Sequence, residues 1–166
     1  MYMSQEKGRL FSIDLEHQNF GKNFTTSGDL WYFNSKDYVF DSQNERVSNK
    51  NNTIVTINKL AKQVIYDQNF KNNFDIFDVL GNADGGIKVL SSFIEKELIR
   101  TDFFLVQWDI EGSIWTMQGT GEPKKISINI SSNETVDLEI NSSKIISTSI
   151  LPYIDISEYE IIDLRD

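Results

Sequence analysis

Asp84-Gly85-Gly86-Ile87-Lys88-Val89-Leu90-Ser91-Ser92-Phe93-Ile94-Glu95-Lys96-Glu97-Leu98-Ile99-Arg100 is the stretch on which the fold class turns. Ile87, Leu90, Ile94 and Leu98 recur at helical spacing and form one stripe. Asp84 is a good N-cap for such a helix, and Lys96 and Arg100 suit the negative end of its dipole. Working back along the chain, Phe70, Phe74, Phe77 and Leu80 also share one helical face, with Gly81 placed as a C-cap. Leu60, Ala61, Val64 and Ile65 extend the helical pattern over about residues 56 to 68. The β-branched run Thr53-Ile54-Val55-Thr56-Ile57 just before them fits a strand as well.

On either side the apolar period is two. Arg9 to Leu15 alternates, with Phe11, Ile13 and Leu15 on one face. Asp29 to Phe33 and Tyr38 to Phe40 read as strands joined through the turn-forming Asn34-Ser35-Lys36-Asp37. Asp41 to Asn52 is polar and rich in Asn and Ser, and predicts an exposed, mobile loop. From Asp102 onward Phe104, Val106, Trp108 and Ile110 alternate with Phe103, Leu105, Gln107 and Asp109. Ile114 to Gln118 follows across a loop at Glu111-Gly112-Ser113. Lys125–Ser131 and Thr135–Ile140 pair around Ser132-Asn133-Glu134, and Ile145–Ile150 and Glu160–Leu164 add further strands. The expected fold is therefore α+β: one domain over residues 1–166, a mostly antiparallel sheet, and two or three helices inserted centrally at about residues 56–100.

Composition narrows the chemistry. The chain has no Cys, so disulfides, thiolate nucleophiles and Cys-based metal sites are excluded. The first seven residues lead into no apolar signal core, and no run approaches the roughly 18 apolar residues of a membrane span. A cytoplasmic protein is expected. The net charge is −9, and it is unevenly spread: from Ile126 to Asp166 eight acids face only Lys144 and Arg165. An ordered acidic surface favours a basic protein partner and repels nucleic acid.

Each motif that hints at chemistry is incomplete. Gly81 and Gly86 bracket four residues like a phosphate loop, but Ile87 and Val89 stand where the lysine and hydroxyl belong, and Asp84 repels phosphate. The same turn lacks the alternating oxygen ligands of a calcium loop. Asp109 with Glu122-Pro123-Lys124 imitates a metal-dependent nuclease, yet Pro123 breaks the strand on which the ligand spacing relies. His17 is the sole histidine and reads as a strand-end surface residue. The carboxylate pairs Asp109/Glu111 and Asp137/Glu139 each read as the wet side of a strand. No cofactor and no metal is implied, and no enzyme is expected.

The function expected from these residues is a cytoplasmic protein-binding inhibitor of bacterial or phage origin. It would be an immunity or antitoxin-type protein that plugs the basic groove of a toxin or effector. Asp137, Glu139, Asp155, Glu158 and Glu160 would form its electrostatic contacts. Trp31 or Tyr32 would add an aromatic anchor, because Leu30-Trp31-Tyr32-Phe33 cannot all face one side of a strand. The alternative is a carbohydrate- or ligand-binding β-rich module, which rests on the Trp and Tyr content. A carboxylate-dependent hydrolase ranks behind both.

Overall fold

The structure is a computed structural model that describes residues 7–68, 76–81 and 86–165. Twelve strands and one short helix make up these residues. The N-terminal strands are β1 (Gly8–Asn19), β2 (Lys22–Asn34), β3 (Asp37–Ser42), β4 (Glu45–Lys50), β5 (Thr53–Asn58) and β6 (Gln63–Gln68). Helix α1 (Ile76–Leu80) comes next. The remaining strands are β7 (Ile87–Glu95), β8 (Leu98–Leu105), β9 (Ile110–Met117), β10 (Pro123–Ser131), β11 (Glu134–Ile146) and β12 (Glu160–Asp163). Hydrogen bonding orders them β12-β6-β5-β4-β3-β2-β1-β11-β10-β9-β8-β7 in one sheet. Ladders from β2 to β6 and from β7 to β11 are antiparallel, whereas β12 runs parallel to β6.

The α+β expectation is thus corrected to an almost purely β architecture. The decisive segment is a hairpin, not a helix: β7 and β8 pair from Ile87↔Leu105 to Glu95↔Leu98, and Lys96 turns the chain at φ 57°. A register irregularity lies between Val89 and Ser91, where Leu90 is the extra residue. A bulge of this kind shifts the alternation by one position. It converts a period of two into the apparent helical spacing of Ile87, Leu90 and Ile94. The stripe over residues 56–68 fails for a different reason. Leu60 and Ala61 sit in the β5–β6 turn, where the Asn58 side chain accepts from both backbone N–H groups at 3.1 and 2.8 Å. Of the helix built on phenylalanines only α1 stands; Phe70, Phe74 and the Asp84 cap lie outside the described residues.

Two loop assignments also change. Gly112 is not in a hairpin loop but in mid-β9, opposite both Phe103 and Ile128, and the turn falls earlier, with Asp109 at φ 57°. The polar stretch Asp41–Asn52 completes β3 and forms β4, and it buries Arg46 and Asn49.

Two compact units share β1, β2 and β11. One draws on Ile13–Thr26 and Phe74–Ser142, the other on Glu6–Ser12, Ser27–Asn73 and Ser143–Asp166. In the second unit Leu30, Tyr32, Tyr38 and Phe40 pack as cross-strand pairs, Leu30↔Phe40 and Tyr32↔Tyr38, all buried. The Tyr32 and Tyr38 rings stack at 6.4 Å. The opposite face of the same strands holds Asp41, whose carboxylate accepts from Arg46 Nε and Nη2 at 3.0 Å each and from Lys59 Nζ at 2.9 Å. Arg46 Nη2 also donates to the Pro152 carbonyl at 2.7 Å, so the segment after β11 crosses this face and caps the ion pair.

Burial pushes the Asp41 carboxyl up, but the hydrogen bonds and charges of Arg46 and Lys59 outweigh it and hold the group below the ordinary carboxylate value. A depressed folded value contributes stability above the unfolded pKa of about 4 and loses it as pH falls through the folded one. Asp41→Asn leaves Arg46 charged, buried and half-satisfied. It is expected to cost about 3 kcal/mol at pH 7 and to flatten the acid limb below about pH 4. Urea titrations of both proteins across pH 2 to 7 check both effects.

Candidate functional site

The strands β7 to β11 of the first unit separate their side chains by chemistry. Cross-strand register places Leu138, Ile126, Ile114, Thr101 and Ser92 in one row of a single face. Val136, Ile128, Gly112, Phe103 and Val89 form the next row, and Ile110, Leu105 and Ile87 a third. Thr116, Ile99 and Ile94 complete the face. None of these positions carries a charge. Its centre is core: Phe103, Leu105, Ile126, Ile128 and Leu138 are all buried. α1 belongs to the same unit, and Ile76, Phe77, Val79 and Leu80 are buried too.

Gly112 sets the packing of this face. A Cβ there would meet Ile128 Cδ1 and Phe103 Cζ at 2.7 Å and the Ser127 carbonyl at 2.8 Å. The neighbouring side chains close over the backbone where a side chain would otherwise stand. Toward β7 the cover ends. Val89 and Ile94, on the same apolar face, are 61% and 69% exposed. β7 is also the last strand of the sheet. An exposed apolar edge is costly for a soluble protein unless something occupies it.

The reverse face is polar and internally paired. Its main row reads Glu139, Lys125, Trp115, Arg100 and Phe93. Lys125 lies 5.8 Å and Arg100 5.2 Å from the Trp115 ring, and Arg100 lies 5.4 Å from that of Phe93. Trp115 Nε1 donates to Glu95 at 3.0 Å. In the adjoining row Ser113 Oγ donates to Asp102 at 2.6 Å, Ser91 at 3.0 Å and Arg100 Nε at 2.8 Å. These bonds, that of Ser113 foremost, hold the Asp102 carboxyl below its ordinary value.

The five acids expected to form one anionic plate are dispersed and partnered. Asp137 and Glu139 belong to the first unit, where Lys125 approaches them at 3.2 and 3.7 Å. Asp155, Glu158 and Glu160 belong to the second. There Glu158 meets Lys62 at 3.2 Å, Glu160 accepts from Gln63 at 3.0 Å, and Asp155 accepts from the Ser157 backbone N–H at 3.0 Å. Arg165 pairs with Asp163 at 2.6 Å and draws its carboxyl down to about 2. Trp31 and Tyr32, expected as an exposed anchor, are 6% and 2% exposed: both faces of β2 are covered at this point. Asp109 and Glu111 do not share a strand face, because Asp109 is a turn residue. Lys124 is held by Glu122 at 3.0 Å, and His17 by Glu134 at 2.7 Å. Among the described residues no group of three or more His, Asp or Glu side chains could hold a metal ion, and no helix is long and apolar enough to cross a membrane.

No family model and no curated sequence matches the chain. Solved structures do. An uncharacterised conserved protein from Thermus thermophilus superposes with a TM-score of 0.59 at 6% identity, over 95% of this chain and 91% of that one. A LolA superfamily protein from Nitrosomonas europaea follows at 0.42, 10% identity and 90% and 89% coverage. An outer-membrane lipoprotein-sorting protein domain from Vibrio parahaemolyticus gives 0.48, 7% identity and 93% and 91% coverage. At these identities the likeness concerns the fold alone, and the Thermus structure shares it. The five acids are split between the two units and each is held by a neighbour, and nothing in these likenesses supports a toxin inhibitor: the immunity or antitoxin reading is overturned.

Gly112→Val tests the packing of the apolar face. The Ser127 backbone cannot yield, so the variant is expected to lose about 2–3 kcal/mol, measured as a lower urea midpoint with an unchanged slope.

Proposed function

We propose that this chain is a non-catalytic binding protein for an elongated apolar ligand, an acyl chain or its like, laid along the open β7 end of the charge-free face. One observation carries the reading: the face is continuous, it bears no ionisable group from Leu138 to Ile94, and it passes from a buried centre to an open edge at β7. Ligand sites are mostly apolar, with few polar groups that fix orientation. Here Ser92 and Thr101 supply hydroxyls within the row, 2.9 Å apart. The ionic groups of the central rows, Lys125 with Asp137 and Glu139 and Arg100 with Asp102, lie on the reverse face, where they hold one another. This supports the ligand-binding alternative drawn from the sequence, although of the Trp and Tyr residues on whose number it rested, Trp31, Tyr32 and Tyr38 are core residues.

Covering the exposed parts of Val89 and Ile94 is worth about 1 kcal/mol each, or roughly a 30-fold change in affinity for both. Titration with cis-parinaric acid, a fluorescent fatty acid, is expected to show saturable binding by the wild-type chain. Val89→Asp/Ile94→Asp is expected to weaken it at least tenfold with the thermal midpoint retained. Ile161→Asp, at an exposed apolar position of the other unit, is expected to bind as wild type. Absence of saturable binding, or equal loss in the control, contradicts the proposal.

A further inference from the structure

The tips of two hairpins in the first unit meet at a cleft that the apolar face does not use. Phe20 and Gly21 form a two-residue turn between β1 and β2, with φ of 47° and 75°. Turns with both central residues at positive φ favour Asn-Gly or Asp-Gly, because Cβ crowds the following carbonyl there, which glycine avoids and the short polar side chains of Asn and Asp offset with local hydrogen bonds. Phenylalanine is a poor choice here. It also gains nothing by burial, since Phe20 is 79% exposed. An exposed aromatic kept in a disfavoured backbone conformation points to a role in binding.

The surroundings define the chemistry. Phe20 N–H donates to the Asn133 carbonyl at 3.0 Å, which ties this turn to the one between β10 and β11. Gln18, Phe20, Gly21, Ser132, Asn133 and Thr135 line an open cleft of about 400 Å³. Every polar lining side chain is a neutral amide or hydroxyl, and Thr135 Oγ1 already donates to Gln18 Oε1 at 3.4 Å. No lining side chain offers a charge to bind a phosphate or carboxylate, and four polar side chains out of six suit an acyl chain poorly. Amides and hydroxyls that both donate and accept, set around an aromatic face, match a ring carrying many hydroxyl groups.

We propose that the Phe20 turn and the Ser132–Thr135 tip form a saccharide-binding site, with a sugar ring stacked on Phe20 and its hydroxyls bonded to Gln18, Asn133 and Thr135. This site uses different residues from the apolar face, so its failure leaves that reading standing. Saturation-transfer difference NMR with glucose, galactose, mannose, N-acetylglucosamine and their β-linked oligomers tests it. At least one sugar is expected to bind the wild-type chain. Phe20→Asn separates stacking from folding, because asparagine suits the turn better: the thermal midpoint is expected to rise while sugar affinity falls at least tenfold. Thr135→Val is expected to fall likewise with its fold intact. Binding by no sugar of the panel, or binding that survives Phe20→Asn, overturns the assignment.

Discussion

The closeness of Phe103 and Ile128 over Gly112 is the constraint on which the β7–β11 unit rests. Three strands meet there at one residue that has no side chain, and the two large neighbours fill the space. That contact fixes register, because a shift of one residue would turn every apolar side chain to the polar side. It also fixes which residues emerge at the edge. With Phe103 opposite Gly112, Val89 must lie on the apolar face, and the extra residue at Leu90 then brings Ile94 to the same face and Phe93 beside Arg100 on the other.

Charge follows from the same division. A sheet with one dry and one wet face places its ionisable groups together, and neighbours of opposite sign pair. Lys125 serves two acids, Arg100 bridges two aromatic rings and Asp102, and Asp41 gathers two cations under the Pro152 segment. The acids that crowd the end of the sequence are therefore divided between the two units and paired within each. Linear clustering of charge reports neighbours along the chain, whereas Lys62 reaches Glu158 from the β5–β6 turn and Lys125 reaches Asp137 across the β10–β11 ladder.

Much of the strand pattern was legible. The Asn34–Asp37 turn, the pairing of β10 with β11 and the buried stripe of Phe11 and Ile13 all follow from alternation and turn chemistry. The central helices were not, because the bulge at Leu90 and the turn at Leu60 and Ala61 both imitate helical spacing. β4 stayed hidden because its polar side chains find partners outside the stretch: the Pro152 carbonyl for Arg46 at 2.7 Å, and the Ser35 carbonyl for Asn49 at 3.2 Å. Of the candidate sites, the apolar face depends on register across five strands, which no local pattern states. The Phe20 turn was open to inspection, since Phe-Gly between alternating segments occupies a place where Asn-Gly is usual.

A charge-free face that is core at one end and open at the other is the feature from which the functional reading grows. Paramagnetic relaxation tests it most directly: stearic acid spin-labelled near its methyl end, added to protein with labelled Ile, Leu and Val methyl groups. The account predicts broadening confined to Val89, Ile94, Ile99 and neighbours on that face, while Val64 and Ile161 of the other unit stay sharp. Uniform broadening, or broadening centred on the second unit, would contradict it.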